Sequence, residues 1–308
     1  MVDDRSNKEM LLVSESPLFS HKVFYVKEGT RHHVLHPEWI ANRVFPPDEP
    51  RWVDEDTICR HRLGAPVPLT WSDESLMNPP LASSPILREI MTSRLTGSGV
   101  EFGAGHNPFP VPLECQVRYA DRLSGDQFRS QYHGGREVDV VAVDMIADME
   151  EMGAIPDESL DFIIAAHVIE HTRNPLRAIE QAHYKLRRGG SLALAVPEMR
   201  HTFDRDREIT SLEHLILDYR HPVRDRDLLH YIEYFTIADP RPVAAVYGIV
   251  KEAFEAGTDI HYHVWTYESF LEHVQYVRQC VVPWRKVWSH PSAAPPDPGV
   301  EFFILLTK

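Results

Sequence analysis

Cysteine, positive charge and long apolar runs are scarce in this sequence of 308 residues. The 3 cysteines, Cys59, Cys115 and Cys280, are odd in number and show no CxxC spacing, which fits reduced thiols in a cytoplasmic protein rather than a disulfide framework. No segment has the composition of a signal peptide or the length of a membrane span, so we expect no secretion and no membrane partner. The net charge of −14 would repel a phosphate backbone, which argues against nucleic acid as a partner.

A polar, turn-rich stretch at residues 72–84 predicts a boundary between two parts of the chain. Upstream of it, Lys22–Val34 alternates around Glu28-Gly29 as a β-hairpin does. The predicted segments are a tail over 1–20, a small α+β module of unassigned role over 21–72, and a large domain over 84–308 with a long insertion at 198–280.

From Ser84 onward, apolar strands alternate with amphipathic helices, which predicts an α/β fold with a parallel sheet covered on both faces. The first five predicted strands are Gly99–Phe102, Val117–Ala120, Val138–Val143, Phe162–Ala166 and Ser191–Val196. The last two, Val281–Trp288 and Val300–Leu306, are joined by a turn too short for a crossover helix, so they must pair antiparallel. We therefore expect a Rossmann-like, seven-stranded, mostly parallel sheet with a reversed C-terminal strand.

The first predicted strand runs into the loop Glu101-Phe102-Gly103-Ala104-Gly105, whose glycines allow a sharp turn and the close approach of a ligand. Asp121 ends the second strand, where a carboxylate can accept hydrogen bonds from both hydroxyls of a ribose. After the third strand, Asp148 could bind an adenine amino group, with the Met149 amide beside it. Three prolines at 108–112 exclude a regular helix after the loop, which counts against a dinucleotide more than against a cofactor without a pyrophosphate.

The run PDESLDFIIAAHVIEHTRNPLRAIEQAHYKLRRGGSLALAVP, residues 156–197, resembles the central segment of class I S-adenosylmethionine-dependent methyltransferases of the ubiquinone/menaquinone-biosynthesis type. Together with EFGAGHNP and Asp121, the resemblance covers residues 98–200 in the order of that family. It implies S-adenosylmethionine as cofactor and assigns eight residues to it: Glu101, Gly103, Ala104 and Gly105 on the methionine side, Asp121 at the ribose, Asp148 and Met149 at the adenine, and His167 near the sulfonium.

Residues 198–280 are longer than one crossover needs and are predicted to form the acceptor site. Their pattern RxTFDxxRxxT, followed by spaced His, Asp and Glu and by HxH, resembles a bacterial methyltransferase subgroup of glycan or secondary-metabolite gene settings. We expect in-line methyl transfer to a hydroxyl of a small-molecule or glycan acceptor, assisted by a histidine base. The candidate catalytic residues are His214, His230 and Asp204, with His214 preferred as the base. The candidate acceptor-binding residues are Arg200, His201 and Arg207.

A structural interpretation of the same residues stays open, because Asp204 with Arg207 would form a local ion pair and His214 with Asp218 would brace one helix. The insertion also contains metal-ligand residue types, and HxH on an alternating segment would place His261 and His263 on one face. Spacing does not establish such a site, and we assign no metal.

The helix expected at residues 243–256 could be a lid, a packing surface or a homodimer face. Thr210 and Glu213 are predicted to start a different helix with a capping box. Two other functions remain as alternatives, a non-catalytic binding or scaffold protein with this fold and an NAD-dependent sugar oxidoreductase. The sequence lacks the third glycine of GxGxxG after Gly105, which counts against the oxidoreductase.

Overall fold

A computed structural model of the protein describes residues 9–15, 22–35, 39–40, 43, 50–67, 84–133, 138–222, 224–291 and 299–308. The predicted boundary at 72–84 lies, except for Ser84, outside these residues, and so does most of the predicted tail. In the part of the chain that is described, no helix is both long and apolar enough to cross a membrane.

Twelve strands occur among the described residues. They are β1 Met10–Ser14, β2 Val23–Lys27, β3 Thr30–Val34, β4 Arg51–Val53, β5 Arg62–Val67, β6 Ser98–Phe102, β7 Gln116–Asp121, β8 Met145–Ile146, β9 Leu160–Ala166, β10 Leu186–Pro197, β11 Lys286–His290 and β12 Glu301–Thr307. Eight α-helices occur in the same residues: α1 Glu55–Cys59, α2 Ser84–Thr92, α3 Gly125–His133, α4 Pro175–Lys185, α5 Leu212–Arg220, α6 Arg224–Glu233, α7 Val243–Ala256 and α8 Tyr267–Cys280.

The larger sheet has seven strands in the order β11-β12-β10-β9-β6-β7-β8. Strands β7 and β8 run parallel to their neighbours β6 and β7, and β10 runs parallel to β9. Strand β12 is antiparallel to both β10 and β11. The predicted α/β fold, with a mostly parallel sheet and a reversed C-terminal strand, is confirmed.

The smaller sheet has the order β4-β1-β2-β3-β5. Its hairpin β2–β3 turns at Glu28 and Gly29, which have φ angles of 49° and 76°. Two consecutive left-handed residues are what a tight two-residue hairpin turn requires, because only that twist matches the twist of the strands. The predicted hairpin is therefore present.

The chain divides into two compact units, one of Met1–Asn78 with Glu89–Ile146 and one of Pro79–Arg88 with Ala147–Lys308. Within the first unit, Leu63 of β5 packs in one apolar cluster with Ala104, Tyr119 and Val141. Arg62 also donates to the Ala142 carbonyl at 3.0 Å. The small sheet thus packs on the segments that follow β6 and β7.

The predicted third strand, Val138–Val143, is wrong. Residues 138–143 form no strand, and the strand that pairs with the outer edge of β7, opposite β6, is β8, Met145–Ile146. The side chain of Asp144 accepts the backbone N–H of Tyr119 at 2.8 Å, and the Asp144 N–H donates to the Tyr119 carbonyl at 2.8 Å. Because Asp144 occupies both the N–H and the C=O of Tyr119, residues 138–143 cannot pair with these backbone groups of β7.

Two predicted helix ends also differ from the structure. The sequence predicts a helix that is capped by Asn174 and ended by Gly189-Gly190. Asn174 does cap α4, accepting the Arg177 N–H at 3.0 Å, but the helix ends at Lys185, before the two glycines. The capping box at Thr210 and Glu213 is wrong, because Ser211 caps α5. Thr210 instead accepts the Val264 N–H at 3.0 Å through its hydroxyl. This long-range bond competes with the local cap.

Candidate active site

The loop after β6 turns on glycines in left-handed conformations. Gly103 has a φ of 68° and Gly105 a φ of 50°. A Cβ placed on Gly105 would lie 2.5 Å from the Phe128 ring of α3, so a larger residue would clash as well as strain the backbone. The sequence therefore needs glycine here for two independent reasons.

The loop and the end of β7 line one cavity within the first unit. Its walls include Ala104, Gly105 and Phe128, and its polar side chain at the strand end is Asp121. One oxygen of Asp121 accepts the Leu123 N–H at 2.8 Å, which fixes the carboxylate at this edge. Glu101 is buried, and its Oε1 accepts the Phe109 N–H at 2.8 Å. The cavity has a volume of only about 10 Å³, room for about one water molecule, so it does not enclose a nucleoside, but a carboxylate at this strand end is suited to the hydroxyls of a ribose.

The other three residues predicted to contact the cofactor lie in the second unit. Asp148 accepts the Glu150 N–H at 2.7 Å, and Met149 is 2% exposed. His167 follows β9 with a φ of 52°, a strained conformation for a residue with a Cβ. Strain of this kind is concentrated at functional positions, so the end of β9 is a candidate ligand-contacting point.

Glu301 of β12 holds His167. The His167 Nε2 lies 3.0 Å from Glu301 Oε2, and Arg88 donates to both Glu301 oxygens at 2.8 and 2.6 Å. Burial raises the pKa of Glu301, but the hydrogen bonds and charges of His167 and Arg88 outweigh it and lower that pKa to about 2. The carboxylate is therefore ionised throughout the working pH range.

Asp204 and His261 form a buried pair in the insertion. The His261 Nδ1 lies 2.6 Å from Asp204 Oδ2, and Arg207 donates to Asp204 Oδ1 at 3.0 Å. Burial raises the pKa of Asp204, but the bonds from His261 and Arg207 outweigh it and lower the pKa below its ordinary value. Because an ionised carboxylate only accepts, Nδ1 of a neutral His261 carries the proton and Nε2 is the proton acceptor.

Among the predicted acceptor-binding residues, Arg207 is enclosed. Its side chain is 1% exposed and donates to Asp204, to Glu233 at 3.1 Å, and to the His261 carbonyl at 2.8 Å. The predicted ion pair of Asp204 and Arg207 is therefore present, and Arg207 acts on the position of His261. A contact of Arg207 with an acceptor stays a prediction.

The two other predicted acceptor-binding residues lie at the surface. Arg200 donates to Glu198 at 2.8 Å through each of two nitrogens and to Glu268 at 3.1 Å. The Nδ1 of His201 lies 2.9 Å from the Gly299 carbonyl oxygen. Neither contact tests the predicted role in acceptor binding.

Glu170 is a candidate functional residue that the sequence reasoning missed. It is 1% exposed, and within the described residues neither of its oxygens has a hydrogen-bond partner. Its Oε1 lies 3.8 Å from His167 Nδ1 and 3.9 Å from His171 Nε2. A buried carboxylate without hydrogen bonds is costly, so it points to a ligand contact. The signal was present in the sequence, in the HVIEH that follows β9.

The predicted catalytic residues fall into two clusters. Asp204 lies with His261, whereas His214 and His230 lie with Asp218 and His263. Residues 259–264 form no strand, so the expectation that His261 and His263 share one face is wrong. Burial lowers the pKa of His230 to about 4, and that of His263 falls well below its ordinary value. Both imidazoles are therefore neutral near pH 7.

The family model described as "Methyltransferase domain" matches residues 78–241, more than half of the chain. The chain belongs to this methyltransferase family. The family bears out the predicted methyltransferase and its cofactor, S-adenosylmethionine. The glycine loop and the Asp121 carboxylate at the end of β7 are chemically suited to that cofactor. No curated protein sequence matches the chain.

Solved structures of S-adenosylmethionine-dependent methyltransferases resemble the chain weakly. One from Thermotoga maritima has 16% identity and a TM-score of 0.35, covering 68% of this chain and 82% of that one. One from Methanosarcina mazei has 16% identity and a TM-score of 0.37, covering 70% and 93%. One from Methanococcus maripaludis has 12% identity and a TM-score of 0.36, covering 73% and 84%.

Proposed function

We propose that this methyltransferase methylates a hydroxyl group of a small-molecule or sugar acceptor, with His261 as the general base and Asp204 as its positioning partner. The observation that carries the proposal is the 2.6 Å contact between His261 Nδ1 and the buried Asp204 carboxylate. S-adenosylmethionine, when bound, supplies an electrophilic methyl group and leaves as S-adenosylhomocysteine. The chain's own task is then to orient the acceptor oxygen and to accept its proton.

The hydrogen-bond partners of His261 support its role as the base. Asp204 fixes the ring and its tautomer, and Arg207 keeps Asp204 ionised, so that the charge of a protonated His261 would be balanced. His214, the base preferred from the sequence, instead has its Nε2 buried and 2.9 Å from an Asp218 oxygen. This difference favours His261 over His214.

The surroundings of His261 favour an acceptor with an apolar face. The Phe203 ring lies with its centroid 4.7 Å from that of His261, and Phe203 is 52% exposed. An exposed aromatic ring beside a base can pack against the face of a sugar or of a small aromatic molecule. The net charge of −14 makes a strongly anionic acceptor less favourable.

Turnover is tested by release of S-adenosylhomocysteine across a panel of sugar and phenolic hydroxyl acceptors. We expect His261→Gln and Asp204→Asn to lower kcat by about 100-fold or more, with cofactor affinity unchanged by calorimetry. The matched control is His221→Gln, an exposed histidine after α5, which should retain full activity. Full activity of His261→Gln would refute the base assignment.

His214→Gln separates this proposal from the sequence-based one. A loss of kcat in His214→Gln, with the melting temperature unchanged, would restore His214 as the base. Cofactor binding without turnover on any acceptor would favour the scaffold alternative. Quenching of nicotinamide fluorescence would favour the oxidoreductase.

A further inference from the structure

A second cluster of histidines lies in the insertion, on three separate segments. His214 and Asp218 are on α5, His230 is on α6, and His263 is in the segment before α8. One donor atom from each side chain lies within 4.8 Å of all the others. The ring centroids of His214, His230 and His263 are 4.9 to 5.4 Å apart, and the rings meet edge to face. Four potential ligands thus converge on one point.

Three polar atoms of this cluster, His214 Nε2, Asp218 Oδ2 and His263 Nδ1, are buried. His214 Nε2 and Asp218 Oδ2 are 2.9 Å apart, yet neither makes a hydrogen bond of acceptable geometry with any described residue. Asp218 is 8% exposed and His263 is 0% exposed. Adjacent ligands at about 2.1 Å from a metal in a tetrahedral site lie about 3.4 Å apart, so the 2.9 Å contact is close to the spacing of two ligands that share an ion.

The outer atoms of two of these side chains, His263 and Asp218, are held by hydrogen bonds. His263 Nε2 lies 3.2 Å from the Arg173 carbonyl, which only accepts, so Nε2 carries the proton and the lone pair of Nδ1 is directed at the cluster. That Nδ1 is buried and, among the described residues, has no hydrogen-bond partner. Arg226 donates to the other Asp218 oxygen, Oδ1, at 3.0 Å. Metal-binding imidazoles and carboxylates are oriented in this way by their outer atoms.

We propose that His214, Asp218, His230 and His263 form a closed structural site for a divalent first-row transition metal ion, with zinc the best fit. Three imidazoles and one carboxylate suit zinc and its neighbours, whereas magnesium and calcium prefer all-oxygen sites. Four protein ligands leave no open position in a tetrahedral site, which is the pattern of a structural metal. A bound ion would bring the more distant donor atoms, which lie up to 4.8 Å apart, to about 3.4 Å from one another.

The site would fasten the acceptor-binding insertion. It would tie α5 and α6 to the segment that carries His263, and His261 is only two residues before that ligand. The ion would therefore position the base without touching the acceptor. The proposal concerns metal binding and stability, so it stands or fails separately from the proposed methyl transfer.

The test uses the full chain without a histidine tag, produced in zinc-supplemented medium and desalted. We expect about one zinc per chain by mass spectrometry, and a melting temperature about 5–10 °C higher than that of chelator-treated protein. The double variant Asp218→Asn/His230→Gln should lose the metal and the response to zinc. The matched control is His273→Gln, which replaces a histidine that is 2% exposed, lies outside the cluster and should leave the metal content unchanged.

Cobalt provides a second readout that does not depend on the variants folding. Titration of chelator-treated wild-type protein with Co²⁺ should give the visible bands of a tetrahedral site with nitrogen and oxygen ligands. Absence of both zinc and these bands in the wild type would overturn the proposal. It would also be overturned if the double variant kept its metal while His261→Gln lost it, because the ion would then belong to the other group, Glu170, His171 and His261.

Discussion

Replacing Glu301 by glutamine should destabilise the fold in a pH-dependent way. Glu301 is 2% exposed at the start of β12 and carries the charge that holds Arg88 and His167. Glutamine keeps the size of the side chain but removes the charge, so Arg88 would lose a buried ionic partner. The Glu301→Gln change therefore isolates the electrostatic contribution of the Glu301 carboxylate to the stability of the fold.

The pKa of Glu301 gives the magnitude. A fall from the ordinary value of 4.5 to about 2 corresponds to about 3 kcal/mol of stability, which is present when the carboxylate is ionised in both the folded and the unfolded chain. The contribution is complete above pH 4.5 and is lost as the pH falls through 2. At pH 3.5 about 2 kcal/mol should remain.

Urea unfolding at pH 7 and pH 3.5, monitored by circular dichroism, measures this difference. We expect Glu301→Gln to lower the free energy of unfolding by about 3 kcal/mol at pH 7 and by less at pH 3.5. Glu255→Gln, which breaks an exposed ion pair with Lys251 on α7, should cost less than about 0.5 kcal/mol. A cost below about 1 kcal/mol at pH 7, or one that is the same at both pH values, would refute the reasoning.

Three further predictions concern the loop, a helix cap and the surface. Gly105→Ala should weaken cofactor binding at least about 10-fold by calorimetry, because its Cβ would strike a ring of α3, whereas Gly153→Ala, with nothing within 4 Å, should not. Asn174→Ala should lower the free energy of unfolding, measured in urea, by about 1–2 kcal/mol, because Asn174 both caps α4 and donates to the backbone of α5. Asn174→Ser should restore the cap but not the bond to α5. On α7, the predicted homodimer face, Val243 and Tyr247 are 91% and 79% exposed. If α7 forms that face, replacing both residues by glutamate should give a monomer in sedimentation, and an unchanged sedimentation coefficient would contradict the prediction.

The strands and their order were predictable where the chain is apolar and locally punctuated. Phe162–Ala166 and Leu192–Val196 are continuous apolar runs, and both lie within central strands of the sheet. The antiparallel pair at the C-terminus followed from loop length alone, because no crossover helix fits between the strands. Such features depend on neighbouring residues, and so they can be read from a single sequence.

Elements fixed by long-range hydrogen bonds were not predictable in this way. The strand expected at Val138–Val143 has strong β-propensity, but Asp144 sets the register of pairing with β7 from outside that run. Thr210 has the identity of a helix cap, but its hydroxyl accepts from Val264, 54 residues later in the chain. In each case a tertiary contact overrides a weak local preference for strand or helix cap.

The division of the insertion into two clusters follows from one local feature, the backbone of residues 259–264. In a strand, His261 and His263 would lie on one face and could serve one site. Tyr262 instead is 2% exposed, its hydroxyl lies 2.8 Å from that of Tyr231, and its backbone N–H donates to the Glu170 carbonyl at 2.8 Å. With Tyr262 anchored on α6 and on the turn after β9, the two histidines contact different groups. His261 can therefore act as the proposed base while His263 binds the proposed metal, although the two residues are only two positions apart in the sequence. Variants of the two histidines can then test the two roles separately.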